Sequence, residues 1–259
     1  MAATPTKTPE PVISIRGLRT QFGRQVVHDG LDLDVQPGEI LGVVGGSGSG
    51  KSVLLRTIIG LNRPAAGTIT VLGEDIGRLS ETGWRRLEEH WGVLFQSGAL
   101  FSSLTVAQNV EVPFKEHTDL PPRLIAELAG LKIEMVGLPA DAAAKYPAQL
   151  SGGMRKRAGI ARALALDPEI LFLDEPTSGL DPIGAAEFDE LVRSLQQSLG
   201  LTVFLVTHDL DSLRAICDRV AVLVDKRVKV GTMAQMLRDD HPWIRAYFHG
   251  PRGRAALAG

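Results

Sequence analysis

A glycine-rich segment, residues 45–52, constrains this chain more than any other feature of its sequence. The segment reads GGSGSGKS, follows the uninterrupted apolar run at 40–44 and precedes a helical pattern at 52–59. Such an apolar run predicts a central parallel strand that is buried on both faces. The order strand, glycine-rich loop and helix fits the phosphate-binding pattern GxxxxGK[ST]. The segment therefore predicts a nucleoside triphosphate site in an α/β fold.

Each position of this loop has a residue type that suits phosphate chemistry. Glycines let successive backbone N–H groups point inward around an anion, and the positive end of the helix that begins at Gly50 faces the same point. We expect the Lys51 ammonium to reach the β- and γ-phosphates and the Ser52 hydroxyl to ligate Mg²⁺. The predicted phosphate-binding residues are Gly45, Gly46, Ser47, Gly48, Ser49, Gly50, Lys51 and Ser52.

Two adjacent carboxylates, Asp174 and Glu175, follow the apolar run at 170–173. The carboxyl ends of parallel strands meet at the sheet edge where the phosphate loop also lies. We expect Asp174 to hold Mg²⁺ directly or through water, and Glu175 to polarise the attacking water as a general base. The alternative is a strand-exit turn with solvated acids, and the presence of the phosphate loop argues against it.

A second potential anion site lies at Ser151, Gly152 and Gly153, which open a helical pattern at 155–166. Backbone N–H groups at a helix start can bind phosphate. One ATP rarely needs two such helix ends from one chain, so we expect these residues to serve the nucleotide of a second subunit. The alternative is a capped helix start without a ligand.

Length and composition set the scale of the fold. The chain has 259 residues, of which 44% are hydrophobic and 22% charged, and this suits one large domain or a domain with a small lobe. Buried-strand runs at 202–206 and 220–224 alternate with helical patterns, whereas the chain from about 97 to 162 is mainly helical. We predict a doubly wound α/β core, an inserted helical lobe and a short antiparallel strand at 67–72.

Charge, cysteine content and the termini narrow the possibilities further. The formal net charge is −2 and there is no basic patch, so we expect no nucleic-acid partner. The single cysteine, Cys217, excludes a disulfide framework and is expected to be a small buried hydrophobe. No apolar stretch is long enough to span a bilayer, so any membrane role must come through a partner. We expect a disordered leader at 1–11, one domain at 12–248 and a mobile tail at 249–259.

Several single residues allow two interpretations. Phe22 is either a core phenylalanine or an aromatic that stacks on adenine. Of the six histidines, only His208 follows a buried strand at the predicted site, and we expect the others at surface or helix positions. Residues 155–157, Arg-Lys-Arg, are interpreted as a solvated helix face. The aromatic stripe at 241–248 packs either on its own domain or on another subunit.

Taken in order, these motifs resemble the ATP-binding subunits of ABC transporters over essentially residues 12–248. The phosphate loop, Leu-Ser-Gly-Gly at 150–153 and Asp-Glu at 174–175 lie in the family's order. Met154 departs from the pattern, because the family usually carries Gln there. The resemblance implies a RecA-like P-loop core with a small antiparallel β portion and an inserted α-helical subdomain. Further matches are Phe22 as the adenine-stacking aromatic, Gln96 of the Q-loop, Asp181 of the D-loop and the switch histidine His208.

The family resemblance also implies a mechanism and an assembly. Two copies would form a head-to-tail dimer that hydrolyses ATP to ADP and phosphate with Mg²⁺, each site combining one subunit's phosphate loop with residues 151–153 of the other. Gln96 would touch Mg²⁺ and the attacking water and couple the site to a transmembrane permease. His208 would contact the γ-phosphate, and Asp181 would bridge the subunits.

The sequence around Gln96 carries a finer resemblance. Residues 92–101 read GVLFQSGALF, and together with residues 109–121 they resemble the ATPases of maintenance-of-lipid-asymmetry (Mla) phospholipid systems. This implies an ATPase at the cytoplasmic face of the inner membrane, held there by the permease, that drives phospholipid movement between inner and outer membranes. A mammalian-cell-entry-domain lipid-binding protein and a STAS-domain subunit would be further partners. The alternatives are an ABC transporter for another substrate and, less favoured, a soluble ABC ATPase outside transport.

Overall fold

The computed structural model describes residues 10–96 and 98–250. Residues 1–9 and 251–259, on which the predictions of a disordered leader and a mobile tail largely rest, lie outside the described residues, as does Ser97. Within the described ranges the chain forms ten strands: β1 (Ile13–Phe22), β2 (Gln25–Val35), β3 (Ile40–Gly45), β4 (Ala66–Val71), β5 (Glu74–Asp75), β6 (Trp91–Leu94), β7 (Ile170–Asp174), β8 (Thr202–Val206), β9 (Arg219–Val224) and β10 (Arg227–Gly231).

Helices connect these strands and form most of the chain between β6 and β7. The helices are α1 (Lys51–Ile58), α2 (Glu81–Glu88), α3 (Val106–His117), α4 (Pro122–Met135), α5 (Gly152–Ala163), α6 (Pro182–Leu199), α7 (Leu210–Ile216), α8 (Met233–Met236) and α9 (Pro242–His249). Short 3-10 turns at Ala140–Ala144 and Pro147–Gln149 join α4 to α5. No helix within residues 10–96 and 98–250 is long and apolar enough to cross a membrane.

A six-stranded sheet, in the order β10-β9-β3-β8-β7-β6, holds the site. Strands β9, β3, β8, β7 and β6 run parallel, and only the edge strand β10 is antiparallel to its neighbour. Every residue of β3, β7 and β8 is buried, as continuous apolar runs require when helices cover both faces. Because the five parallel strands end at the same edge, the loops after β3, β6, β7 and β8 converge there.

A second, antiparallel sheet has the order β2-β1-β4-β5. Ile13 and Ile15 of β1 and Leu33 of β2 are buried in the same core cluster as Leu54 of α1. This small sheet therefore packs against the helix that follows the phosphate loop. The architecture confirms the predicted α/β class with a P-loop core, a small antiparallel portion and helices inserted between β6 and β7.

Candidate active site

The phosphate loop is shaped by two glycines in left-handed backbone conformations. Gly48 has φ +76° and Gly50, the residue before α1, has φ +99°. A Cβ atom on Gly50 would lie 2.4 Å from Val27 Cγ1 and 2.6 Å from His28 Nε2. Only glycine fits there, because both the backbone conformation and the space exclude a side chain. The loop thus packs tightly onto β2.

The polar groups of the loop fit a bound polyphosphate. Lys51 Nζ donates to the carbonyl oxygens of Gly45, at 3.0 Å, and Gly46, at 3.4 Å. Ser49 Oγ is buried and has no hydrogen-bond partner. A buried hydroxyl without a partner costs free energy, so an acceptor bound inside the loop would remove that cost. Ser47, at the tip, is exposed.

Ser52 and Asp174 come together although they lie far apart in the chain. The Ser52 hydroxyl donates to Asp174 Oδ1 at 3.0 Å, and the carboxylate is 5% exposed. Hydroxyl, carboxylate and phosphate oxygens are the ligands that Mg²⁺ prefers in nucleotide sites. Across residues 10–96 and 98–250 there is no group of three or more His, Cys, Asp or Glu residues that could hold a metal ion. Ser52 and Asp174 alone supply a hydroxyl and a carboxylate oxygen, which would suit a magnesium ion that is also held by phosphate.

Glu175 lies just past β7 in a conformation that non-glycine residues rarely adopt. Its φ is +51°, and its N–H donates to the Val206 carbonyl at 2.8 Å. Its Oε2 atom is 2.6 Å from Nδ1 of His208, whose side chain is 66% exposed. Backbone strain of this kind concentrates at functional sites. The structure thus joins the predicted base and the predicted switch histidine directly.

A buried lysine, Lys156, links the backbone of Gln96 to the backbone at the C-terminal end of β7. Gln96 Nε2 donates to Ser178 Oγ at 3.2 Å. Lys156 Nζ, on α5, donates to the Gln96 carbonyl and, at 3.3 Å, to the Glu175 carbonyl. Lys156 is 6% exposed, and burial lowers the pKa of its ammonium. The predicted solvated face at 155–157 is therefore wrong at its centre, because the Lys156 ammonium satisfies two backbone carbonyls inside the site.

His28 also departs from prediction. It is fully buried in β2, where Thr20 Oγ1 lies 2.7 Å from Nδ1, and burial lowers its pKa to about 4. The expectation that every histidine except His208 occupies a surface or helix position is thus wrong for His28. Alternation along the strand could not have located it, since the pairing of β1 with β2 shifts register between Leu18 and Thr20.

The predicted second anion site is a capped helix start in this chain. Ser151 Oγ accepts a hydrogen bond from Met154 N at 3.2 Å and so caps α5. A Cβ on Gly152 would lie 3.6 Å from Leu180, whereas one on Gly153 would meet open space. Within the described residues, no hydrogen bond or ion pair links Ser151, Gly152 or Gly153 to the phosphate loop. Their outer surface is available to another molecule.

Asp181 caps the next helix, α6. Its Oδ1 atom accepts from Ile183 N at 3.1 Å and Gly184 N at 3.0 Å. Hydrogen bonds from backbone N–H groups, that of Gly184 above all, hold the pKa of the Asp181 carboxyl below its usual value. Ile183 is 74% exposed. An anchored carboxylate thus stands beside an exposed apolar side chain.

Three further predictions concern individual side chains. Phe22 is 53% exposed at the end of β1, so the core interpretation is wrong and the ring is accessible for stacking. Cys217 is half-buried and packs against the core, and burial raises the pKa of its thiol, so the expected small hydrophobe is found with incomplete burial. The aromatic segment packs on its own domain, where Ile244 and Phe248 are buried.

The family model described as ABC transporter matches residues 28–178. The intermembrane phospholipid transport system ATP-binding protein MlaF of Haemophilus influenzae is 41% identical over 92% of this chain and 90% of its own length. The probable ribonucleotide transport ATP-binding protein mkl of Mycobacterium leprae is 39% identical over 93% of this chain and 69% of its own.

Other similarities are shorter or structural. The methionine import ATP-binding protein MetN of Caulobacter vibrioides is 48% identical over 77% of this chain and 59% of its own length. The dimeric post-hydrolysis structure of the ATP-binding cassette MJ0796, bound to ADP and Pi, superposes with a TM-score of 0.77 at 28% identity. It covers 85% of this chain and 98% of its own. The overall fold is thus shared with an ATP-binding cassette.

Proposed function

Because the chain belongs to the ABC transporter family and is an ATP-hydrolysing subunit, we propose that it powers the movement of phospholipids between inner and outer membranes. The observation that carries this proposal is the 41% identity with MlaF, which extends over 92% of this chain and 90% of that protein. The segment at 92–101, GVLFQSGALF, which contains Gln96 of the Q-loop, also supports the proposal, because it resembles the same region of the Mla ATPases. The function would be to maintain the lipid asymmetry of the outer membrane.

We assign the chemistry to residues at the parallel sheet edge. ATP would lie in the phosphate loop with its adenine on Phe22. Glu175 would accept a proton from the attacking water, and His208, 2.6 Å from that carboxylate, would contact the γ-phosphate. Ser52, Asp174 and Gln96 would hold Mg²⁺, which neutralises charge on the phosphates when it is bound.

The second half of each site would come from another copy of this chain. Support comes from Ser151, which is exposed at the start of α5, and from Ile183, which is exposed beside Asp181, because both side chains are open to a second molecule. The dimeric state of the MJ0796 cassette is a further parallel. Ser151, Gly152 and Gly153 of one subunit would close over the triphosphate of the other, and Asp181 would bridge the two.

The surface after Gln96 suits a membrane-subunit contact. Phe101 is 51% exposed, and the Arg162 guanidinium lies 5.9 Å from its ring centroid. Asn109, fully buried, accepts from Phe101 N at 2.7 Å and donates to the carbonyls of Phe101, Leu104 and Thr105. A rigidly held, exposed aromatic is a common anchor in protein interfaces. We propose that a transmembrane permease docks here and holds the chain at the cytoplasmic face of the inner membrane.

The proposal is tested by purifying the complex that the chain forms in its own cell and identifying its subunits and lipids. We expect a permease, a mammalian-cell-entry-domain lipid-binding protein, a STAS-domain subunit and bound phospholipid. Phe101→Asp should abolish recovery of the permease, whereas Leu131→Asp, at an exposed apolar position on α4 (56% exposed), should not. A complex without lipid-binding subunits, or one whose ATPase responds to a small solute and not to phospholipid, would contradict the phospholipid assignment.

Methionine is a second candidate substrate, because one relative is a methionine import ATP-binding protein. That relative is 48% identical, although the chain spans only 59% of its length. If the ATPase of the reconstituted complex responded to methionine and its binding protein, the chain would be an importer subunit. The hydrolytic site described above would be the same in either case.

A further inference from the structure

Helix α9 is anchored next to the phosphate loop by one apolar face. Ile244 and Phe248 are buried in a cluster with Val44 and Val222. Val44 lies in β3 immediately before the loop, so the helix sits on the strand that carries the phosphate site. His241 fixes the start of the helix, since its Nδ1 accepts from Trp243 N at 3.2 Å. The helix is therefore held rigidly at this position.

The half-buried aromatic face of α9 lies against the phosphate loop itself. A Cβ placed on Gly46 would lie 3.4 Å from Trp243 Nε1 and 3.8 Å from two further indole atoms. The indole of Trp243 therefore lies directly beside Gly46, close enough that a Cβ there would make ordinary van der Waals contact with it. Trp243 also stacks on Tyr247, with ring centroids 4.9 Å apart and planes inclined by 14°. Each ring thus limits the movement of the other.

Tyr247 joins the same helix to the switch histidine. Its hydroxyl donates to the carbonyl oxygen of His208 at 3.0 Å. Burial, followed by the nearby charges of Asp209 and Glu175, raises the pKa of the phenol, so it remains a protonated donor at neutral pH. The His208 side chain itself is 66% exposed, so this bond holds its backbone while the imidazole remains accessible.

We propose that α9 is a positioning element for ATP hydrolysis, in which Trp243 braces the phosphate loop at Gly46 and Tyr247 holds the backbone of His208. The stacked pair fixes the separation of the two segments that must meet the same triphosphate. Small misplacements of catalytic groups are costly, because rate depends steeply on alignment. Both aromatics act through other residues and do not touch the reacting atoms. The inference rests on ATP hydrolysis and not on the identity of the transported substrate.

The test compares three variants in the purified complex with its membrane subunit. Tyr247→Phe keeps the stacked ring and removes only the hydroxyl. We expect kcat for ATP to fall about three- to tenfold, the effect of one lost hydrogen bond, with KM for ATP changed less than about twofold. The matched control is His249→Ala, which removes the bond from the same helix to the Leu237 carbonyl (2.7 Å) at a position outside the site. It should leave kcat unchanged, even if it lowers the melting temperature.

Trp243 supplies a spectroscopic measurement that does not need turnover. We expect Mg-ATP to change the tryptophan fluorescence of the unaltered protein and Trp243→Phe to abolish that change, since the indole lies beside Gly46 of the phosphate loop. Equal kcat losses in Tyr247→Phe and His249→Ala would overturn the proposal, because α9 would then act only through stability. A fluorescence change that persists in full in Trp243→Phe would also overturn it. Absence of phospholipid from the complex would leave these measurements unaffected and would contradict only the substrate assignment.

Discussion

Glu175 is the residue whose surroundings best match a proton acceptor in water attack. Its carboxylate is 15% exposed, faces His208 Nδ1 and follows a strand whose five residues are all buried. The positive φ turns the chain sharply at this point, so that Asp174 and Glu175 occupy different positions at one strand end. Asp174 accepts a hydrogen bond from Ser52, and Glu175 faces His208. Two neighbouring carboxylates can thus have separate tasks.

We predict that Glu175→Gln retains ATP binding but lowers turnover by about 10²- to 10⁴-fold, because the amide cannot accept a proton while its shape is nearly unchanged. Nucleotide affinity by equilibrium titration and phosphate release would be measured on the same preparation. Glu169→Gln is a matched control, since this exposed carboxylate lies before the opposite end of the same strand and pairs with His90. Undiminished turnover in Glu175→Gln would remove the residue as the base.

Sequence patterns predicted the positions of the motif residues, but they did not predict which buried side chains contact those residues. Lys51, Ser52, Asp174 and Glu175 belong to contiguous motifs, so the strand and loop order alone predicts that they meet. Lys156, by contrast, has a cation on either side, and its long side chain reaches carbonyls that only the tertiary fold brings near. Nothing in a local pattern separates a buried lysine from a solvated one.

At the scale of elements, strand β2 packs against the phosphate loop at Gly50. Val27 and His28 occupy the space that a side chain on Gly50 would need, while Gly48 at the tip has no atom within 4 Å of the corresponding point. Both glycines have positive φ, so substitution carries a backbone cost at each, and at Gly50 a steric cost is added. This difference allows the two contributions to be separated.

We predict that Gly48→Ala lowers the free energy of unfolding by about 1–2 kcal/mol, the cost of a left-handed alanine. Gly50→Ala should lower it by more than about 3 kcal/mol, because the added methyl also overlaps Val27 and His28. Urea denaturation without nucleotide measures both values. Equal decreases in the free energy of unfolding would show that Val27 and His28 move aside at little cost and that β2 does not hold the loop in place.

Helix α6 carries a buried carboxylate with a clear pH dependence. Asp189 is 5% exposed, and burial raises its pKa from 3.8 to about 6, with Asp209 and Asp211 contributing in the same direction. The native state therefore keeps a proton between about pH 4 and 6 that the unfolded chain releases, and this contribution to stability falls as pH rises through that range. Above pH 6 the charged, buried carboxylate costs about 3 kcal/mol.

We predict that Asp189→Asn raises the free energy of unfolding at pH 7.5 by up to that amount, relative to the unaltered protein, and that the gain disappears near pH 4. Glu190→Gln, on the adjacent exposed position, should show no such pH dependence. Chemical denaturation at a series of pH values provides the comparison. A gain that is the same at pH 4 and pH 7.5 would mean that the carboxyl titrates normally.

Element prediction succeeded where long apolar runs or alternation were present and failed for short edge elements. The expected strands at 40–44, 170–173 and 202–206 match β3, β7 and β8 within one residue. Strand β6 was not predicted, because its four residues, WGVL, have no clear period and gain their strand form by pairing with β7. Tertiary pairing and not local propensity decides such a segment.

At the scale of the whole molecule, one chain brings only some of the predicted site residues together. The phosphate loop, Asp174, Glu175 and His208 surround one edge of the six-stranded sheet, whereas Ser151 caps a helix of the inserted portion and bonds only locally. A head-to-tail pair would place the Ser151 end of one copy over the phosphate loop of the other. Two-fold symmetry then generates two identical composite sites from one interface.

This arrangement predicts complementation between two inactive proteins. Lys51→Ala should weaken ATP binding in its own phosphate loop. Ser151→Asp keeps a residue that caps α5 while setting a negative charge against the partner's γ-phosphate, so each variant alone should be nearly inactive. In a mixed dimer, one site combines both changes and the other combines neither. Equimolar mixing with random pairing, in which half of the dimers are mixed and each has one intact site, should therefore restore about a quarter of the unaltered activity. If mixing restored no phosphate release although cross-linking detected mixed dimers, each chain would complete its own site and the shared-site assembly would be wrong.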